Sequence, residues 1–135
     1  MSTGAKHKSL TKSQRLEVYN KYNGHCAYCG CKLEYKDMQV DHFLPLYWSE
    51  KVSGIGLDRK DLDSFENYMP ACKSCNFYKS TLSLEHFRKQ LETLHQRLEK
   101  QFIYRLAKKY KLVTEHPKQV QFYFEMTEEE RKLQD

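Results

Sequence analysis

Two pairs of thiols, an Asp-His step and a few amide and amine side chains are the residues of this 135-residue chain best suited to chemistry. Four of its five cysteines form two Cys-x-x-Cys pairs, Cys26/Cys29 and Cys72/Cys75, with 42 residues between them. In a reducing compartment this pattern favours a metal over disulfides. Each pair offers two thiolates from a tight turn, and two such turns complete the tetrahedral set that zinc prefers. Gly30, directly after the second sulfur, suits a turn whose N–H groups fold back toward an ion. A redox Cys-x-x-Cys needs one pair, and buried thiols need no fixed spacing; one structural zinc accounts for both pairs, with Cys31 as a bystander. A simple zinc ribbon leaves roughly 15–20 residues between its pairs. Here an insert more than twice that length is held at both ends, and long segments inside small domains tend to carry function.

Within and just beyond that insert the order is Asp41-His42, Asn67, Cys72-x-x-Cys75-Asn76, Lys79. Taken singly, Asp41-His42 is a polar pair on a strand, Asn67 a turn residue and Asn76 a helix cap. Taken together, inside a zinc clamp, they resemble the HNH nuclease superfamily. The similarity is to its four-cysteine branch, which includes phage endonuclease VII-type resolvases and many small phage and bacterial HNH proteins. The likeness covers roughly Leu16 to Lys79, with a weaker echo in "LSLEHFRKQL".

The resemblance implies a ββα-metal core and hydrolysis of DNA phosphodiester bonds. It makes His42 the general base and gives Asp41 and Asn76 to a catalytic divalent cation. Asn67 would bond the loop backbone and steady the strand that carries the base. Lys79 and Lys73 are the candidates for a substrate phosphate. The chemistry agrees: hydrolysis needs an activated water and charge stabilisation on the phosphoryl oxygens. An imidazole not spent on a metal suits the first task, and a hard cation on oxygen ligands the second. Many family members carry His where this chain has Asn76. A neutral oxygen ligand points to Mg²⁺ or Mn²⁺ rather than a catalytic zinc.

These residues need elements to hold them. Thr11 and Gln14 form a capping box for a helix that runs to Asn23-Gly24. "KLEY" and "MQVDHF" read as two strands joined at Lys36-Asp37, and residues 44–66 as a loop. "NYMP" is extended into the second knuckle, where Asn76 opens a helical turn. Ser83 then caps a long helix: Leu84, Phe87, Leu91, Leu94, Leu98, Phe102, Leu106 and Tyr110 repeat at steps of three and four. That stripe reads as the spine for the zinc unit, or as the seam of a homodimer. After Pro117, "VQFYFE" alternates like an amphipathic strand.

The expected fold class is α+β: a small ββα-metal (HNH) core with two zinc knuckles, an N-terminal helix, a long C-terminal helix and a C-terminal strand. Its parts are a flexible stretch 1–10, a clamped core 11–83, a helix and strand 84–126 completing the same domain, and a frayed acidic tail 127–135. Net charge is +5, with five basic residues against one acid in 1–24 and eight against three in 84–112. Two basic flanks around a near-neutral centre suit DNA as partner. An aromatic share of 13% argues against wholesale disorder. No apolar run is long enough to span a bilayer, so no membrane partner is expected. The first ten residues lack an apolar stretch that could direct secretion, which predicts the cytoplasm of a bacterial or phage-infected cell. The rival from another class is a zinc-stabilised nucleic-acid binding or interaction module without cleavage.

Overall fold

A computed structural model of the chain describes residues 9–45 and 59–134. The expected flexible start and most of the loop expected over 44–66 lie outside these residues. The architecture is α+β, with one two-stranded antiparallel sheet among the described residues. Helix α1, Lys12–Asn20, starts as its sequence predicts: the Thr11 hydroxyl accepts from Gln14 N, and Gln14 Oε1 accepts from Thr11 N. Its Val18 is fully buried, and its polar side chains tie down the segments beside it. The Arg15 guanidinium donates to Tyr35 O and Met38 O, the Tyr19 hydroxyl to Leu33 O, and the Lys21 ammonium to Tyr68 O.

Strand β1, Gln39–His42, pairs antiparallel with β2, Tyr68–Ala71, in the register Gln39↔Ala71, Val40↔Pro70, Asp41↔Met69 and His42↔Tyr68. "KLEY" is not a strand. Only Lys32 forms an isolated bridge, to His25, and Tyr35–Asp37 close a 3₁₀ turn whose carbonyls α1 already claims. Short helix α2, Arg59–Leu62, and a 3₁₀ turn at Phe65–Asn67 lead into β2. Helix α3, Lys73–Lys79, follows β2 directly, with Cys72 as its N-cap. Asn76 therefore lies within α3, a turn later than the sequence suggests.

The long helix is three helices: α4, Leu84–Glu92; α5, Leu94–Leu98; and α6, Phe102–Lys109. The first break falls at Thr93, whose hydroxyl donates to Gln90 O and accepts from Arg97. A side chain that competes for helix carbonyls interrupts the ladder. The second falls at Gln101, in an extended conformation. The stripe is divided with it. Phe87 is buried against Tyr28 and Phe122, whereas Phe102 and Tyr110 are 69% and 71% exposed. Among the described residues, α4 is the one of the three whose stripe is buried against the first knuckle, and a dimer seam would have no continuous helix to run along.

"VQFYFE" is not a strand either. Phe122 and Tyr123 are both buried, which a period of two forbids, and Tyr123–Glu125 form a 3₁₀ turn. Tyr123 N and Phe124 N donate to Tyr28 O and Ala27 O, so the segment lies on the first knuckle. Arg88 of α4 clamps it by bonding Val120 O and the Glu125 carboxylate. The acidic tail is not wholly frayed: α7, Glu128–Lys132, is capped by Thr127, and Arg131 bonds Tyr123 O and Phe124 O.

Candidate functional site

The first knuckle is a turn in which Gly30 N donates to Cys26 O and Cys26 N to Cys31 O. Gly30 has φ +82°, a left-handed conformation that a side chain would strain. The second knuckle spans the junction of β2 and α3. The strand pairing and α3 bring Cys26, Cys29, Cys72 and Cys75 together, with all four sulfurs within 4.8 Å of one another. Cys29 Sγ and Cys72 Sγ are 3.8 Å apart, and the edge of a tetrahedron with zinc–sulfur arms is about 3.8 Å.

The protonation chemistry of this cluster fits a cation. Hydrogen bonds from the Cys26 and Cys75 thiols push Cys29 down to about 3, and the same kind of contact, with burial, pushes Cys75 up. The Cys29 thiolate thus opposes ionisation of Cys75, and a positive charge at the centre would relieve that opposition. These four residues can hold a zinc ion. Cys31 is exposed and pushed upward by burial of its sulfur and by the neighbouring Cys29, as suits a thiol outside the set.

Asp41 and His42, adjacent on β1, project to opposite faces. Asp41 is buried. The Tyr28 hydroxyl donates to its Oδ2 at 2.6 Å, and the Lys79 ammonium lies 3.1 Å from the same oxygen. Burial raises the Asp41 pKa, and Lys79 and Tyr28 oppose that rise. Burial and the Asp41 charge push the Tyr28 phenol far upward, so it remains a donor. Among the described residues, no hydrogen bond reaches Asp41 Oδ1, and none engages the Asn76 carboxamide. An unengaged buried carboxylate oxygen suits a hard cation, and the Asn76 carboxamide is carried by the same helix as the Lys79 that meets Asp41. Asn76 sits one turn before Lys79 on α3, hence on the same side of that helix.

His42 faces the other way, partly buried. Its Nε2 lies 3.0 Å from Asp63 Oδ1, which also accepts from the Tyr68 hydroxyl at 2.9 Å. The Tyr68 ring meets the imidazole edge-on at 5.3 Å. Burial and Asp63 push the Tyr68 phenol up to about 12. Asn67 is buried, and its side chain makes three backbone bonds: Nδ2 donates to Leu44 O and Leu62 O, and Oδ1 accepts from Leu44 N.

Lys73 is exposed in the first turn of α3. Lys79 is a correction. It has no exposed surface, and besides Asp41 its Nζ donates to His42 O and Phe43 O, so it does not present itself to a phosphate. Sequence reasoning missed two residues. Asp63 lies 21 positions from His42 in a stretch of several acids, and Tyr28 hides between two cysteines as a core aromatic. Neither carries a local signal of its role.

Residues 26–81 match the family model described as HNH endonuclease. Among curated proteins, the chain is 31% identical over 82 residues to YoqL, an SPbeta prophage-derived protein of Bacillus subtilis (strain 168) named as an HNH endonuclease. That match covers 58% of this chain and 33% of YoqL. It is also 33% identical over 69 residues to the Septu protein PtuB of Bacillus thuringiensis, covering 50% of this chain and 23% of PtuB. The chain thus spans a third or less of the length of these relatives. No solved structure matches it significantly.

Proposed function

We propose that this chain, whose residues 26–81 match the HNH endonuclease family model, is a metal-dependent endonuclease that hydrolyses DNA phosphodiester bonds. The observation that carries this reading is the placement of Asp41 and His42 on opposite faces of one strand, with α3 of the second knuckle packed against Asp41. His42 takes the proton from the attacking water. With Asp63 accepting from Nε2–H, the imidazole lone pair resides on Nδ1, and Tyr68 braces the carboxylate that orients the ring. Asn67 ties the chain after β1 to the approach of β2, which holds His42 in register. Asp41 and Asn76 would hold Mg²⁺ or Mn²⁺, which supplies neutralisation of charge on the phosphoryl and leaving oxygens. Lys73 and the basic residues of α4–α6 favour the DNA backbone.

The test is plasmid cleavage by the zinc-loaded protein with Mg²⁺, Mn²⁺ or EDTA, with His42→Ala compared for zinc content and unfolding midpoint. Cleavage that depends on the cation and vanishes in a folded H42A protein supports the reading. An H42A protein that cuts as fast as the parent refutes the assignment of the base. A second reading, a binding module without cleavage, draws on the existing Asp41–Lys79 pair. It predicts DNA shifts in a gel with no cutting under any cation.

A further inference from the structure

We propose that Lys79 is a built-in countercharge that makes cation capture at Asp41 conditional on the substrate phosphate. The inference rests on the nuclease reading and concerns regulation of that same site. An ammonium has three N–H donors, and the Lys79 Nζ has three acceptors: Asp41 Oδ2 at 3.1 Å, His42 O at 3.2 Å and Phe43 O at 3.1 Å. The side chain is wholly buried. It is therefore a fixed component of the site, and expelling it would strand two carbonyls and leave a buried carboxylate without its countercharge.

An incoming cation must bind beside Lys79. The charge of the Asp41 carboxylate is already matched by the ammonium in contact with it, and the Tyr28 hydroxyl and the Asn76 carboxamide add none. Lys79 heads the charged groups that act on Asp41, and His42 adds to it. Asp63 lies with His42 on the opposite face and is engaged there by that ring and by Tyr68. Mg²⁺ and Mn²⁺ need charged oxygen ligands to replace hydration water. Tyr28 and Lys79 share Oδ2, which leaves one carboxylate oxygen, Oδ1, for the ion. The missing negative charge is what a phosphodiester brings. Cation and DNA then bind cooperatively, and by linkage each tightens the other by the same factor. A protein built this way carries no primed cation when it is away from DNA.

The experiment measures Mn²⁺ binding by the electron paramagnetic resonance signal of the free ion, on the zinc-loaded full chain. A His42→Ala background prevents cutting, and Asp41→Asn in that background reports Mn²⁺ bound elsewhere. A short DNA duplex is the probe, with its own Mn²⁺ uptake subtracted. The duplex is expected to tighten the Asp41-dependent site by about tenfold or more, and Lys79→Met to tighten it about as much without DNA. Equal affinity with and without the duplex, or an unchanged affinity in a folded Lys79→Met protein, overturns the proposal. If Lys79→Met does not fold, duplex affinity with and without Mn²⁺ decides: an Asp41-dependent gain supports the proposal and no gain overturns it. Cation- and His42-dependent cleavage alongside DNA-independent Mn²⁺ binding would sink this inference and leave the nuclease reading intact. No Asp41-dependent Mn²⁺ in either state would sink both.

Discussion

Replacing Asn67 with alanine removes three hydrogen bonds from one buried side chain, and each lost partner is a backbone group with nowhere else to turn. Leu62 O sits in a fully buried contact, while Leu44 N and Leu44 O are half-buried. Stranding a buried carbonyl costs about 2 kcal/mol, and each half-buried group, partly rehydrated, about 1 kcal/mol. The expected loss is therefore about 4 kcal/mol, against a total of about 5–15 kcal/mol for a domain. Asn67→Asp is the sharper probe. Its one oxygen still accepts from Leu44 N, but the other then faces two carbonyl oxygens where an amide donated. At neutral pH N67D should lose at least as much as N67A, and protonation on acidification should restore part of the difference. Urea unfolding with zinc held in excess, followed by far-UV circular dichroism, measures both. A loss below about 1 kcal/mol in N67A, or an N67D protein as stable as wild type at neutral pH, would refute the reasoning, because it would mean that these bonds are already satisfied by water.

Three further outcomes are expected. Gly30→Ala should destabilise the protein by about 2–4 kcal/mol in thermal unfolding: its φ is +82°, and the added Cβ would lie 2.6 Å from Tyr123 Cδ1, displacing the segment that covers the first knuckle. Stripping zinc with a strong chelator should unfold the core, and elemental analysis should find one zinc retained by Cys31→Ser and lost from Cys29→Ser. Arg88 holds the Glu125 carboxyl below its usual 4.5, so this pair's stabilisation is present above that pH and fades as pH falls through the lower folded-state value. The stability gap between wild type and Glu125→Gln should accordingly shrink on acidification; a constant gap would show that the pair does not act through charge.

The four-cysteine cluster, the alternation along β1 and the starts of α1 and α4 are legible in the chain because each is a short-range property. A Cys-x-x-Cys turn, a Thr11–Gln14 capping box and the alternation of Asp41 with His42 depend on neighbours a few residues away. The errors arise where periodicity alone stands in for packing. The stripe from Leu84 to Tyr110 is a sound helical pattern, yet Thr93 diverts a carbonyl and the helix stops; "VQFYFE" alternates, yet Phe122 packs on Tyr28 and Phe87 while Tyr123 stacks on His25, so both are buried. Lys79 is the most instructive residue. From sequence it is a basic side chain on a helix, for which solvent or a phosphate is the natural partner.

By itself, then, the order of residue types determined which atoms are available for chemistry here: four sulfurs, a carboxylate, an imidazole and two carboxamides. Only the tertiary structure decided what those atoms face. Asp63 reaches His42 across 21 positions, and Lys79 reaches the backbone of His42 and Phe43 across 37 and 36. The reason is physical. The availability of a donor or acceptor is intrinsic to the residue, but its burial and its partner are set by segments that the sheet and the two cysteine knuckles bring together from far along the chain.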